Sequence, residues 1–254
     1  MKILLISDIH ANIQALESVL KAETDWDLLV CAGDYVDYGT SPAEVVDLLR
    51  SLSKPHVLVI GNHDEHLVRT YRSGEYRRVK GHDYKWIHYD CSLLHDEQVD
   101  WIAALPRHAT FEADGWTYLV QHQYQEGSYA VIEQPTQFKE FWNEHAACGS
   151  ASSRMVFGHS HRQCMYLMDG CSWINPGSIS YRRPDDPDKD AQYMTITDGV
   201  VAWKHVGYDR SVQFEVARRF HERDAMMETE LQDFWFFFGD APTSRSPLPP
   251  RHDG

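Results

Sequence analysis

Apolar and polar positions follow two different rhythms along this chain. In the first sixty residues, unbroken apolar blocks alternate with stretches of helical period. KILLIS (2–7), LLVCAG (28–33) and HVLVIG (56–61) are the blocks, and continuous apolar runs of this length mark strands covered on both faces. Between the first two, Ile13, Leu16, Val19 and Leu20 share one face of a helix that Asn12 can cap. Between the second and third, Ser41-Pro42-Ala43-Glu44 offers an N-cap, a proline in the first turn and a reciprocal glutamate, so a helix is predicted through Leu52. Strand and helix in strict alternation imply a parallel sheet with right-handed crossovers.

The second half has another rhythm. Asp-Gly pairs at 114–115, 169–170 and 198–199 each separate runs rich in β-branched or aromatic residues, the strongest short signal for a hairpin. Residues 65–95 read as irregular, with helices to follow from Asp96 to Leu105 and around 136–147. The parallel half and the hairpin half each predict a sheet, and two sheets packed face to face need helices on their outer sides. A domain of this kind is expected over 1–207. The charged stretch 208–238 reads as a helical extension packed on it. The end of that stretch, Phe234-Trp235-Phe236-Phe237-Phe238, is too apolar for water, so it either packs on the body or forms a homo-oligomer contact. Residues 239–254 hold four prolines and no periodicity, as a disordered tail would.

Composition narrows the function. A formal net charge of −14 disfavours a nucleic-acid backbone or an anionic membrane as a general partner. Five cysteines with no CxxC pair suit free thiols in a reducing cytoplasm. The N-terminus turns polar too soon for a signal peptide, and the expected location is cytoplasmic.

The candidate chemistry sits where the apolar runs stop. The first runs into Asp8-Ile9-His10, the second into Gly33-Asp34, the third into Gly61-Asn62-His63-Asp64; TYLVQ ends at His122, and MVFG runs into His159-Ser160-His161. Carboxyl ends of parallel strands share one edge, where open α/β sheets place their ligand sites. Any one of these residues has an ordinary structural explanation; five strand ends choosing ligand-type residues together do not. Carboxylate, amide and imidazole without thiolate suit borderline or hard divalent ions. Seven such residues exceed one tetrahedral ion, so two ions sharing a carboxylate is the economical arrangement, manganese leading and iron, zinc, cobalt or nickel as alternatives. Ions about 3.5–4 Å apart can hold a hydroxide between them and neutralise a phosphoryl group.

These five blocks, in this order, resemble the calcineurin-like metallophosphoesterase superfamily over roughly residues 1–180. The resemblance implies an α/β, four-layer α-β-β-α sandwich with two packed mixed sheets. It implies Asp8, His10 and His161 on one metal, Asn62, His122 and His159 on the other, and Asp34 bridging both. It places His63 beside the metals as the acid or hydrogen-bond donor for the leaving group, with Asp64 orienting its ring, and puts Asn12 near the substrate phosphate. Asn175-Pro176-Gly177-Ser178 resembles a turn of the small bacterial and archaeal phosphodiesterase branch and is read as structural.

Gly33-Asp34-Tyr35-Val36-Asp37-Tyr38-Gly39 is nearly the signature of Ser/Thr protein phosphatases, with Tyr38 where those have arginine, and a tyrosine cannot supply a guanidinium fork. A small phosphorylated substrate, monoester or diester, is therefore expected, attacked by a metal-bridging hydroxide. A protein phosphatase and a catalytically weak metal-bound scaffold are the alternatives. Arg69, Arg72, Arg77, Arg78 and Lys80 cluster after the third block. Arg72 and Arg78 are the candidates for binding a phosphate or nucleotide, and Trp86 and Tyr84 for stacking on a base or filling the core.

Overall fold

A computed structural model describes residues 1–145, 152–181, 186, 188–223 and 228–239. The predicted tail, Cys148 and the end of the helix expected around 136–147 lie outside these residues, apart from the first residue of the tail.

The apolar blocks become β1 (Lys2–Ile6), β2 (Leu28–Cys31) and β3 (His56–Leu58), paired in parallel. Their continuity has the expected cause. Ile3, Leu5, Val30 and Ala32 face the second sheet, while Leu4, Ile6, Leu29 and Cys31 face helices on the other side. Those helices are α1 (Ile13–Ala22), α2 (Pro42–Arg50), α3 (Asn62–Ser73), α4 (Trp86–Leu93) and α5 (Asp96–Ala103). Asn12 caps α1 through Ala15 N–H. Proline opens α2, but the Ser41 side chain makes no cap hydrogen bond and the expected reciprocal box is absent there.

All three Asp-Gly pairs are two-residue hairpin turns. They join β4 (His108–Ala113) to β5 (Trp116–Gln121), β7 (Gln163–Met168) to β8 (Cys171–Pro176), and β9 (Ala191–Thr197) to β10 (Val200–Val206), with β6 (Ser153–Val156) before the second pair. In each, both turn residues have positive φ, the twist that matches paired strands. The hairpin half does not keep all its strands to itself, however. One sheet runs β4-β5-β6-β8-β7 and the other β10-β9-β1-β2-β3. The third hairpin crosses over because the free edge of β1 accepts β9 antiparallel, Leu5 opposite Met194. Both sheets are mixed, since β5, β6 and β8 pair in parallel.

The sheets pack face to face through Ile3, Leu5, Val30, Tyr118, Val120, Val156 and Ile174. On the far face of the second sheet, Leu119, Met155, Phe157 and Trp173 meet Phe138, Phe141 and Trp142 of α6 (Pro135–His145). The result is the four-layer α-β-β-α sandwich. α7 (Ser211–Arg223) and α8 (Glu228–Phe237) follow the last strand. The aromatic run at the end of α8 is covered by its own chain: Phe234, Phe236, Phe237 and Phe238 are buried with Trp86 and Ala217. Among the described residues no helix is long and apolar enough to cross a membrane.

Candidate metal centre

Five strand ends converge on one rim. Asp8 and His10 follow β1, Asp34 follows β2, Asn62 and His63 open α3 just after β3, His122 follows β5, and His159 and His161 follow β6. Asp8, His10, Asp34 and His161 bring one ligand atom each within 4.8 Å of one another, and so do Asp34, His122 and His159. Asp34 is the member common to both groups. Its Oδ2 lies 3.0 Å from His122 Nε2 and 3.9 Å from His10 Nε2, while its Oδ1 accepts the His63 N–H at 3.0 Å. His161 Nε2 is 3.1 Å from Asp8 Oδ1.

Neighbouring groups fix which nitrogen of each ring faces inward. His10 Nδ1–H donates to Val36 O at 3.2 Å and His122 Nδ1–H to Ala32 O at 2.6 Å. Each Nε2 is therefore the nitrogen that faces the centre, the outer-shell arrangement of metal-bound imidazoles. Asp8 Oδ2 and Asn62 Oδ1 are buried without a hydrogen-bond partner. Burying polar atoms unpaired is costly, and a cation at each donor group removes the cost. The residues present thus fit two divalent ions. Burial pushes the His10 ring down to about 3, outweighing the nearby Asp34 charge, so it stays neutral and available as a ligand.

The backbone is bent to reach this arrangement. Eleven described non-glycine residues have positive φ, and three are the aspartates of the hairpin turns. The other eight are Asp8, His10, Ala11, Asp34, Asp37, Tyr38, His159 and His161, all on the rim loops. Left-handed conformations cost L-residues about 1–2 kcal/mol each, and such strain gathers at functional sites. Gly61 and Gly158 allow close approaches: a Cβ would fall 2.1 Å from Asp34 Oδ1 at the first and 1.9 Å from Ser7 Oγ at the second.

Residues 1–199 match the calcineurin-like phosphoesterase superfamily domain, a span that includes all seven donors. The chain belongs to the calcineurin-like phosphoesterase superfamily. Among curated relatives, an uncharacterised protein of Methanocaldococcus jannaschii is 44% identical over 64 residues, 24% of this chain and 26% of that protein. A symmetrical bis(5'-nucleosyl)-tetraphosphatase of Sodalis glossinidius is 41% identical over 70 residues, 26% of this chain and 25% of that one. The aligned segments thus span about a quarter of these relatives. A metallophosphoesterase structure from Sphaerobacter thermophilus covers 93% of this chain and 99% of its own at TM-score 0.68 and 24% identity, which shows a shared fold.

For a calcineurin-like phosphoesterase, six of the expected donors fall into the two groups and Asn62 opens α3 just after β3, but other expectations need correction. Asp64 does not orient His63. Its carboxylate accepts the backbone N–H groups of Gly61, Asp34 and Tyr35 at 2.8–3.0 Å, tying α3 to the β2 loop. Asp37 holds the ring instead, its Oδ2 2.8 Å from His63 Nδ1. Asn12 is not turned to substrate: it is fully buried, Oδ1 capping α1 and Nδ2 donating to Ser180 Oγ at 2.8 Å. Arg72 is exposed and pairs with Asp100 at 2.9 Å, and Arg78 is exposed beyond α3, so neither lines the cleft. Trp86 is core, packed on Phe234 at 5.2 Å. The Asn175-Gly177-Ser178 turn braces the rim, Asn175 Nδ2 donating to Gly158 O and Ser178 Oγ to Asp8 O.

Three aromatic residues border the site, two of them not singled out from the sequence. Tyr38 stacks on Tyr181 at 4.6 Å, Tyr181 faces His161 edge-on at 5.1 Å, and Tyr129 stacks on His159 at 4.5 Å. Only Tyr38 had a signal, its place in the Gly33–Gly39 motif.

Proposed function

We propose that this chain hydrolyses a phosphate ester of a small molecule, a nucleotide diester being the favoured class, with two divalent ions held by its seven donors. The observation that carries the reading is Asp34, shared between two groups of converging donor atoms. Bound divalent ions supply a nucleophile from water at neutral pH and neutralise charge on the phosphoryl oxygens. Asp8, His10 and His161 would hold one ion, Asn62, His122 and His159 the other, and Asp34 both, with manganese the first candidate.

The chain's own contribution to bond breaking is His63. Burial lowers its pKa, but the charge of Asp34 and the hydrogen bond its Nδ1–H donates to Asp37 lift it to about 9. The His63 ring, held by Asp37 at the edge of the centre, would donate to the leaving oxygen as the P–O bond breaks, and the hydroxyl from water stays on phosphorus. The nucleotide class is supported by the bis(5'-nucleosyl)-tetraphosphatase relatives. A protein-phosphatase reading is disfavoured by Tyr38, whose neutral ring stands stacked on Tyr181 where a guanidinium would be needed. The His63–Asp37 pair disfavours an inert scaffold.

A panel of phosphate mono- and diesters with manganese, zinc, cobalt and nickel tests the reading. Asp34→Asn should lower bound metal below two per chain and cut turnover by roughly 10²-fold or more, as expected when a metal-orienting contact is lost. Full metal content and near-normal turnover in that variant would refute a shared carboxylate.

A further inference from the structure

The cleft is closed on one flank and open on the other. Beside the first donor group, Tyr38 and Tyr181 stack, and both rings stand 5.4 Å from His10. Phe237 of α8 lies 3.9 Å from Tyr181, with Phe238 following at 5.7 Å. Both phenylalanines are buried, so this flank is a packed aromatic wall contributed partly by residues beyond the matched family domain. Beside the second donor group the chain leaves a cavity of about 210 Å³, bordered by Asn62 and His122 and continuing along Glu65, Arg107, Gln123 and Glu126.

That lining selects its occupant. Arg107 is already compensated by Glu65, Nη2 to Oε1 at 2.8 Å, and Glu126 adds a second carboxylate to a lining that also holds His108 and Gln121. A second phosphate would meet two carboxylates. An aliphatic group would strip water from polar atoms and return no hydrogen bonds. A hydroxylated group satisfies such atoms, as a ribose diol does when a carboxylate binds it. The volume is below the roughly 300 Å³ where drug-sized pockets begin, so it suits one sugar-sized group rather than a long chain. We propose that this cavity seats the organic part of the ester and takes a polyhydroxylated moiety, of which the ribose of a nucleotide is the class. The proposal rests on the phosphoesterase reading above.

The test separates the two. Equilibrium binding of adenosine 5'-monophosphate and its 2',3'-dideoxy analogue to manganese-loaded protein reads the cavity without turnover, and hydrolysis of bis-p-nitrophenyl phosphate by the same preparation reads the chemistry. The ribonucleotide should bind about tenfold tighter, as sites built for a hydroxyl reject analogues lacking it. Glu126→Ala, on an exposed loop, and Glu65→Ala should each erode that preference. Arg72→Ala, outside the cavity, serves as control and should keep it. Equal binding of both nucleotides by the parent protein, or a preference that survives both glutamate variants, overturns the cavity assignment even if the diester is hydrolysed. A preference lost in the glutamate variants supports it even if no diester is hydrolysed, and then the enzyme reading is what fails.

Discussion

A histidine becomes a proton donor when its neighbours hold its charged form, and His63 is held by Asp34 and Asp37 together. His63→Gln should cut turnover by roughly 10²–10⁴-fold, the usual size of a lost general acid, with metal content unchanged by elemental analysis. Asp37→Asn should cost less, roughly 10–100-fold, since it weakens the orientation and charge of the ring but leaves the ring in place. Equal losses of metal and activity in His63→Gln would mean that the ring ligates rather than donates. The sequence put His63 in view but not its partner, for a geometric reason. His63 and Asp64 are consecutive in the first turn of α3, and consecutive helical side chains do not face each other. Asp64 sits at the third helical position and reaches back to Gly61 N–H, as a capping carboxylate does. Asp37 is remote in sequence, and a left-handed backbone at φ 73° turns it toward the ring.

Elements announced by unbroken apolar runs or turn pairs were legible, and elements built from polar surfaces were not. α3 carries Arg, His, Glu and Asp over most of its length and buries chiefly Leu67, Val68 and Thr70 beyond its first turn, so no apolar period marks it. α4 buries His88 and Asp90 on its inner face, positions that a pattern of apolar residues counts as exposed. Asp90 ties these elements together, its Oδ2 accepting Asp37 N–H at 2.7 Å. Burial, reinforced by the charge of Asp37, holds the Asp90 carboxyl well above its ordinary range. The sign follows from linkage. Above the ordinary carboxylate pKa of about 4, the folded state keeps a proton that the unfolded state has released, so this group makes stability fall as pH rises. Asp90→Asn keeps an oxygen for Asp37 N–H and removes the ionisation. Urea unfolding from about pH 4.5 to pH 8 should therefore show the variant gaining on the parent as pH rises. A constant difference across that range would show that Asp90 ionises normally in the fold.

At the scale of the whole molecule, the centre exists because two sheets present their carboxyl edges to one rim, and neither sheet carries a complete set of donors. Sheet pairing by β9 along β1 and the seating of α8 depend on contacts across nearly the full chain, Leu5 to Met194 and Trp86 to Phe234. Short-range patterns cannot encode such distances, which is why no local signal joins the third hairpin to β1 and the aromatic run left two destinations open. If α8 were a loosely attached appendage, it would melt separately from the sandwich. Its contacts argue for one cooperative unit: Phe234 is buried against Trp86, Phe238 and Phe214, Arg210 donates to Phe238 O at 2.8 Å, and Phe237 reaches Tyr181 at the rim. Phe234→Ala should then destabilise the protein by about 3–5 kcal/mol. At roughly 2–4 °C per kcal/mol for a chain of this size, the single thermal transition should fall by roughly 10 °C. An early separate transition, with the main midpoint unmoved, would show instead that the C-terminal helices fold apart from the centre they border.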